Sequence, residues 1–324
     1  MRADREVRPR FESIRIPLAL IGLALSGLLA DPALGEEFLP IDEYLAEDGL
    51  SGDDIYQRML DNRFQSYDQD LKLRSGDAAG HFQDVQLRLR YKNFRSKSKR
   101  VLSKTIAKYF SPPDVRHLGY LVINKKSGPD DQFIYRPSSR KVRRINVRSE
   151  SITGTDFSFE DVVPAEFEDG RHYRLPDGEV EGRPTFVVAV VPLPDTESDY
   201  SKWILHVEKE HFVPIRTHYW DNKRVLVKRL DAEIDSLTGF EDLSADSSAD
   251  SNADSNADSN DKGKGKGDDK GKGSAEAQKV WIALRSRMEQ LKTGSFTTLK
   301  IDRFEANPRL RERDFSQREL TASH

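Results

Sequence analysis

The sequence predicts a mainly β (α+β) protein with antiparallel strands and a helical cover, on three observations. Residues 82–91 alternate, with Val85, Leu87, Leu89 and Tyr91 set against Gln86, Arg88 and Arg90, which is the period of a half-buried strand. Residues 203–234 hold three strand-like runs, Trp203 to Val207, Pro214 to Trp220 and Val225 to Ile234. The polar turns Glu208-Lys209-Glu210 and Asp221-Asn222-Lys223 join them as an antiparallel meander. One amphipathic helix opens after Ser51 and is short enough to lie across a sheet. Short strands at such spacing argue for a sandwich or a barrel.

The chain has 324 residues, with 33% charged residues and a formal net charge of −3. Its mean hydropathy is −0.70. That balance describes a soluble chain without a strong overall field, and nucleic acid is not indicated as a partner. Residues 1–35 read as a cleavable secretory signal. Arg2, Arg5, Arg8, Arg10 and Arg15 precede an apolar stretch from Ile16 to Ala30, and Ala33-Leu34-Gly35 offers small residues for cleavage before Glu36. The apolar run falls short of the roughly 20 residues of a membrane span, which makes an uncleaved anchor the lesser alternative. The chain has no cysteine, so disulfides, thiolate chemistry and a lipid-modified N-terminal cysteine are excluded. The expected compartment is the periplasm. With the signal and a low-complexity run set aside, about 250 residues remain to build a core.

Residues 36–50 are acidic and turn-rich, an extended lead-in. The helix follows, with Ser51 as its cap and Asp53 and Asp54 well placed for its dipole. Ile55, Met59 and Leu60 form its apolar stripe. Strands are then expected at 82–91 and at 101–110, the latter ended by Ser111-Pro112-Pro113. A hairpin of 118–124 with 132–135 follows about the turn 125–131, and 141–145 adds a short strand. Residues 170–175 pair next, Pro176-Asp177-Gly178 makes a turn, and the near-continuous apolar run 185–191 implies cover on both faces. After the meander, residues 242–275 repeat Ser-Ala-Asp-Ser and Asn-Ala-Asp-Ser and then Lys-Gly. With almost no apolar residue to offset ordering entropy, they read as a disordered insertion. Strand character returns at 280–288 and 295–304.

Residues 154–162, Gly-Thr-Asp-Phe-Ser-Phe-Glu-Asp-Val, break this series of strands. Thr155 or Asp156 offers a cap, and Glu160 and Asp161 favour a first helical turn, so the segment suits a lid better than a strand. The run Asp156-Phe157-Ser158-Phe159-Glu160-Asp161 resembles the D-F-S-[YF]-E-D signature of the bacterial outer membrane lipoprotein-sorting proteins, which are similar to the periplasmic lipoprotein carrier LolA. Phe315-Ser316 and Leu320 are also similar to how that family ends, and the resemblance runs from about Ser51 to Leu320, broken by the insertion. It implies a half-open antiparallel β-barrel of about 10–11 strands with a helical lid over residues 51–324. It also implies a carrier of lipid or lipoprotein acyl chains, with an inner-membrane hydrophobe transporter as donor and an outer-membrane acceptor.

On that reading Gly154, Thr155, Asp156, Phe157, Phe159, Glu160 and Asp161 form a lid that gates the ligand. Phe157 and Phe159 lie two apart and share a face in an extended segment. They either plug an empty cavity, with Gly154 absorbing the backbone change, or anchor the segment in the core. The carboxylates of Asp156, Glu160 and Asp161 have no nucleophile motif or phosphate loop beside them, so capping outweighs acid–base work. Arg136, Arg140, Lys141, Arg143 and Arg144 continue a basic stretch that is either a solvated sheet face or a landing surface for anionic headgroups or an acidic partner. Of the seven histidines, His206 and His218 are the pair able to face one another across strands; without a metal-ligand motif, satisfied or exposed imidazoles outweigh a metal site there. No cofactor or metal is expected. The alternatives to a carrier are a lipid sensor that signals to a membrane regulator and, less favoured, a periplasmic hydrolase.

Overall fold

The computed structural model describes residues 44, 46–145, 151–152, 154–196, 198–242 and 279–322. The expected signal, most of the lead-in and residues 243–275 of the insertion lie outside the described residues. The elements are helix α1 (Gly52–Asp61) and strands β1 (Ser66–Gly76), β2 (Phe82–Asn93), β3 (Val101–Ser111), β4 (Gly119–Lys125), β5 (Asp131–Arg136) and β6 (Lys141–Ile145). The one-turn helix α2 (Phe159–Val162) precedes β7 (Gly170–Val180), β8 (Arg183–Pro192), β9 (Tyr200–Glu208), β10 (Pro214–Asp221) and β11 (Leu226–Ala232). Then come β12 (Leu237–Glu241), β13 (Lys279–Ala283), β14 (Arg285–Gln290), β15 (Phe296–Ala306) and helix α3 (Gln317–Thr321).

Thirteen strands form one antiparallel sheet in the order β6-β5-β4-β3-β2-β1-β15-β14-β11-β10-β9-β8-β7, and β12 with β13 forms a separate ribbon. The sheet has two edges and does not close. Seven strands lie between β4 and β9, a separation of about 38 Å on a flat sheet at ~4.8 Å per strand. Tyr120 of β4 and Trp203 of β9 nevertheless line one cavity. The sheet is therefore strongly curved, the half-open barrel expected from the sequence.

The strand number exceeds the expected 10–11, for local reasons. Strand β1 sits at the centre of the sheet between β2 and β15, although Asp68, Asp70, Lys72 and Arg74 give it poor strand propensity. Its outward carboxylates are matched across the ladder. Arg88 Nε donates to Asp70 at 2.7 Å, Arg90 Nε to Asp68 at 2.8 Å and Arg303 Nε to Asp70 at 2.9 Å. Against the cost of its burial, Arg88 and Arg303 hold the Asp70 carboxyl below its usual range. Residues 280–288 are two strands because β13 pairs only with β12, while β14 pairs with β11 and β15. Pro176-Asp177-Gly178 is a bulge within β7, as the register shift between Leu175 and Gly178 shows. Pro176 has no N–H for the ladder, and the turn itself falls at Glu181 and Gly182, with φ of 50° and 78°.

Helix α1 is capped as expected, Ser51 Oγ accepting from Asp54 N–H at 3.1 Å. It packs on β7 and β8 through Ile55 and Tyr56, which join Phe186, Val188, Val190, Leu205 and Val207. The approach is close: a Cβ on Gly52 would lie 2.6 Å from the Arg174 nitrogen and the His172 carbonyl oxygen. Buried Arg174 secures the residues before the helix, reaching Asp48, Asp177 and the Leu50 carbonyl. On the outer face of the other half, Phe315 and Leu320 cover Phe94, Ile106 and Leu121. No helix among the described residues is long and apolar enough to cross a membrane.

Candidate functional site

The concave face of the sheet is built from the alternating apolar positions of β1 to β5, including Leu71, Leu73, Val85, Leu87, Leu89, Tyr109, Tyr120, Val122 and Ile134. The facing half contributes Trp203, Leu205, Thr217, Tyr219 and Leu230. Between them, under α1 and the segment 159–165, lies a cavity of about 380 Å³, inside the range of small-ligand sites. Tyr56 and Met59 of α1 and Phe159 to Ala165 cover it.

The covering segment is held at every acidic position of its motif. The Asp156 carboxylate accepts from Ser295 Oγ at 2.6 Å and Thr297 Oγ1 at 2.8 Å, tying the segment to β15. Glu160 accepts from Ser198 Oγ and from Asp199 N–H at 3.2 Å. The side chain of Asp161 is fully buried and accepts from Ser158 N–H at 2.7 Å, Tyr200 O–H at 2.7 Å and Lys228 Nζ at 2.9 Å. It thus latches α2 to both β9 and β11. The helix-start residue is Ser158, not Thr155 or Asp156 as the sequence suggested, because Asp156 is occupied with β15. Thr155 is buried, and Gly154 takes a left-handed φ of 69°, as a tight turn requires.

Phe157 and Phe159 are both buried in the concave-face cluster, but in different ways. Phe159 lines the cavity and stacks on Tyr120, with ring centroids 3.9 Å apart. Phe157 lies on the far side of the turn, its carbonyl accepting from Ile152 N–H at 2.8 Å, and is not part of the cavity wall. The expected shared face is replaced by a division of positions, because the chain turns helical between the two rings.

The polar groups of the wall are neutral or acidic. Asp130, Glu160, Asp161 and Asp169 line it, and no lysine, arginine or histidine does among the described residues. Burial drives the phenols of Tyr56, Tyr67, Tyr200 and Tyr219 well above the ordinary tyrosine range, and the Asp161 charge adds to this for Tyr200 and Tyr219. These tyrosines remain uncharged hydrogen-bonding groups. The sequence reading missed Tyr56, Tyr120, Tyr200, Trp203 and Tyr219; their only trace there was inward position in alternating strands or on the helix stripe.

The five basic residues sit away from this cavity. Arg136, Arg140, Lys141, Arg143 and Arg144 are all exposed and gather on the β5–β6 hairpin at one edge of the sheet. Arg144 pairs with Asp131. His206 and His218 do approach one another, ring centroids 5.9 Å apart and edge to face, on β9 and β10. Glu208, Glu210 and His211 bring three possible ligand atoms within 4.8 Å of one another at the β9–β10 turn.

With this geometry in view, comparison with solved structures is decisive for the fold. A putative outer membrane lipoprotein-sorting protein domain from Vibrio parahaemolyticus superposes with a TM-score of 0.66 at 22% identity, covering 84% of this chain and 98% of that one. The chain has the LolA-like fold. A LolA superfamily protein from Nitrosomonas europaea gives a TM-score of 0.56 at 15% identity over 83% of this chain and 99% of its own. A DUF1329 family protein from Desulfovibrio piger gives 0.64 at 19% identity over 83% and 97%. A family profile described as "Uncharacterized protein" matches residues 102–244, a stretch that takes in β3 through β12. No curated protein matches the sequence.

Proposed function

We propose that this protein is a periplasmic carrier that takes a lipid, lipoprotein or other hydrophobic molecule into the cavity and shuttles it between an inner-membrane transporter and an outer-membrane acceptor. The observation that carries the reading is the cavity of about 380 Å³, walled by aromatic and aliphatic side chains and roofed by α1 and the latched segment 159–165. A buried CH₂ contributes about 0.8 kcal/mol, so an acyl chain leaves a bilayer for a carrier only when it gains comparable burial. The roof is made of short elements held by a few polar contacts, and such elements open more readily than the sheet beneath them. Entry then requires release of the Asp161 contacts and displacement of Phe159 from Tyr120. The β5–β6 hairpin, with its five exposed cations, is the surface we assign to anionic headgroups or an acidic partner during transfer.

The proposal has no catalytic step. Native mass spectrometry of the mature protein purified gently from its own periplasm, followed by lipid analysis of what denaturation releases, tests it directly. A stoichiometric lipid or acylated peptide is the expected result. An empty protein that also takes up no fluorescent acyl probe would overturn it.

A further inference from the structure

Resting on the carrier reading, we infer that the cargo carries an uncharged polar head, a hydroxyl, ester or amide, and that the cavity selects against anionic amphiphiles such as fatty acids. Four carboxylates line the wall and no cationic side chain does among the described residues. A charged head entering this space would lose water without compensation: an anion meets no counter-charge on the wall, and a cation finds the wall carboxylates already taken.

The carboxylates do not form a cation site either, because each is engaged by the fold. Asp130 accepts from Lys125 N–H at 2.9 Å, Asp169 from Glu166 N–H at 2.9 Å and Glu160 from Asp199 N–H at 3.2 Å. Asp161 is matched by Lys228 at 2.9 Å. What the wall offers a ligand is neutral: the Tyr56, Tyr67 and Tyr219 phenols, the hydroxyl of Thr217, and the groups of the Asn124 and Gln132 amides left over once Asn124 Nδ2 donates to Ser103 at 2.9 Å and Gln132 Oε1 accepts from Tyr120 at 2.7 Å. Phenol, hydroxyl and amide groups both donate and accept, which suits alcohols, esters and amides. A site built to hydrogen-bond such a head discriminates strongly against one that leaves its groups unpaired.

The test uses the mature chain and five probes with one sixteen-carbon chain each: hexadecanol, monopalmitoylglycerol, palmitoyl-glycinamide, palmitate and hexadecyltrimethylammonium. Trp203 lines the cavity and serves as the fluorescent reporter. Neutral heads are expected to bind at least about tenfold more tightly than palmitate or the ammonium at pH 7.5. Monopalmitoylglycerol against palmitoyl-glycinamide separates a glycerolipid from an acylated peptide as the source of the head. Met59→Lys places a cation in the wall from the half-buried stripe of α1, and is expected to raise palmitate affinity severalfold where Met59→Gln does not. Palmitate or the ammonium binding as tightly as the neutral probes, or a selectivity unmoved by Met59→Lys, would overturn the inference and leave the carrier intact. Failure of every probe to bind would remove the carrier reading itself and the inference with it.

Discussion

At the scale of single residues, Asp161 carries the largest electrostatic consequence in the roof. Its carboxylate is fully buried and faces the ammonium of Lys228, which is itself 11% exposed. Replacing Asp161 by asparagine keeps the shape but leaves that ammonium without its counter-charge, a change that costs about 3–5 kcal/mol for a buried pair. Urea denaturation of Asp161→Asn is expected to show a loss of that size, and Asp161→Asn combined with Lys228→Met to recover most of it. Additive losses in the double variant would show that the two groups act independently. The sequence exposed Asp161 as part of an acidic turn, but its role was illegible there, since Tyr200 and Lys228 lie far along the chain and on two different strands.

At the scale of elements, α1 and the roof segment differ in how they are fastened. His172 lies buried beneath α1, stacked on Tyr56 at 3.9 Å and hydrogen-bonded through Nδ1 to Asp53 at 2.8 Å. Burial lowers its pKa from the ordinary 6.5, with the Asp53 bond opposing in part. Below that ordinary value the unfolded chain binds the proton more readily than the folded one, so stability rises with pH there. The His172 contribution is expected to be complete above pH 6.5 and to decline as pH falls through 6.5 towards the lowered folded value. Thermal melts from pH 5 to 8 check this, and His172→Phe is expected to flatten the slope while keeping a ring against Tyr56. Gly52→Ala at the start of the same helix forces its Cβ to 2.6 Å from backbone and is expected to cost about 1–3 kcal/mol by overpacking. In the roof segment, Phe157→Ala is expected to lose about 3–5 kcal/mol as a core truncation. Phe159→Ala also widens the cavity and so alters acyl-probe affinity, which Phe157→Ala changes little. Equal effects of the two on binding would contradict the division of positions between the rings. That one ring faces the cavity and the other the core was not readable from their spacing, because period two holds only while the backbone stays extended.

At the scale of the whole molecule, the strands with apolar alternation were legible as strands, and β6 was placed with the right ends. The centre of the sheet was not, because β1 owes its place to partners 18 or 22 residues away, Arg88 and Arg90, on one side and to Arg303, 233 residues away, on the other. Curvature was likewise beyond the pattern of any one strand, since alternation states which side chains share a face and not which distant strands that face will meet. Residues 242–275 read from composition as an insertion, and the strands flanking them give a physical test. Glu241 of β12 pairs directly with Lys279 of β13, so residues 243–278 leave and return at adjacent points of one ribbon. Replacing them by a four-residue Gly/Ser turn shortens the closed loop about ninefold, some three halvings, which is worth ~2 kcal/mol of loop-closure entropy in favour of folding. The shortened protein is expected to melt at the same temperature or a few degrees higher and to keep its acyl-probe affinity. A clear loss of stability would mean that the removed residues pack against the LolA-like sheet rather than merely connecting the two strands of the β12–β13 ribbon.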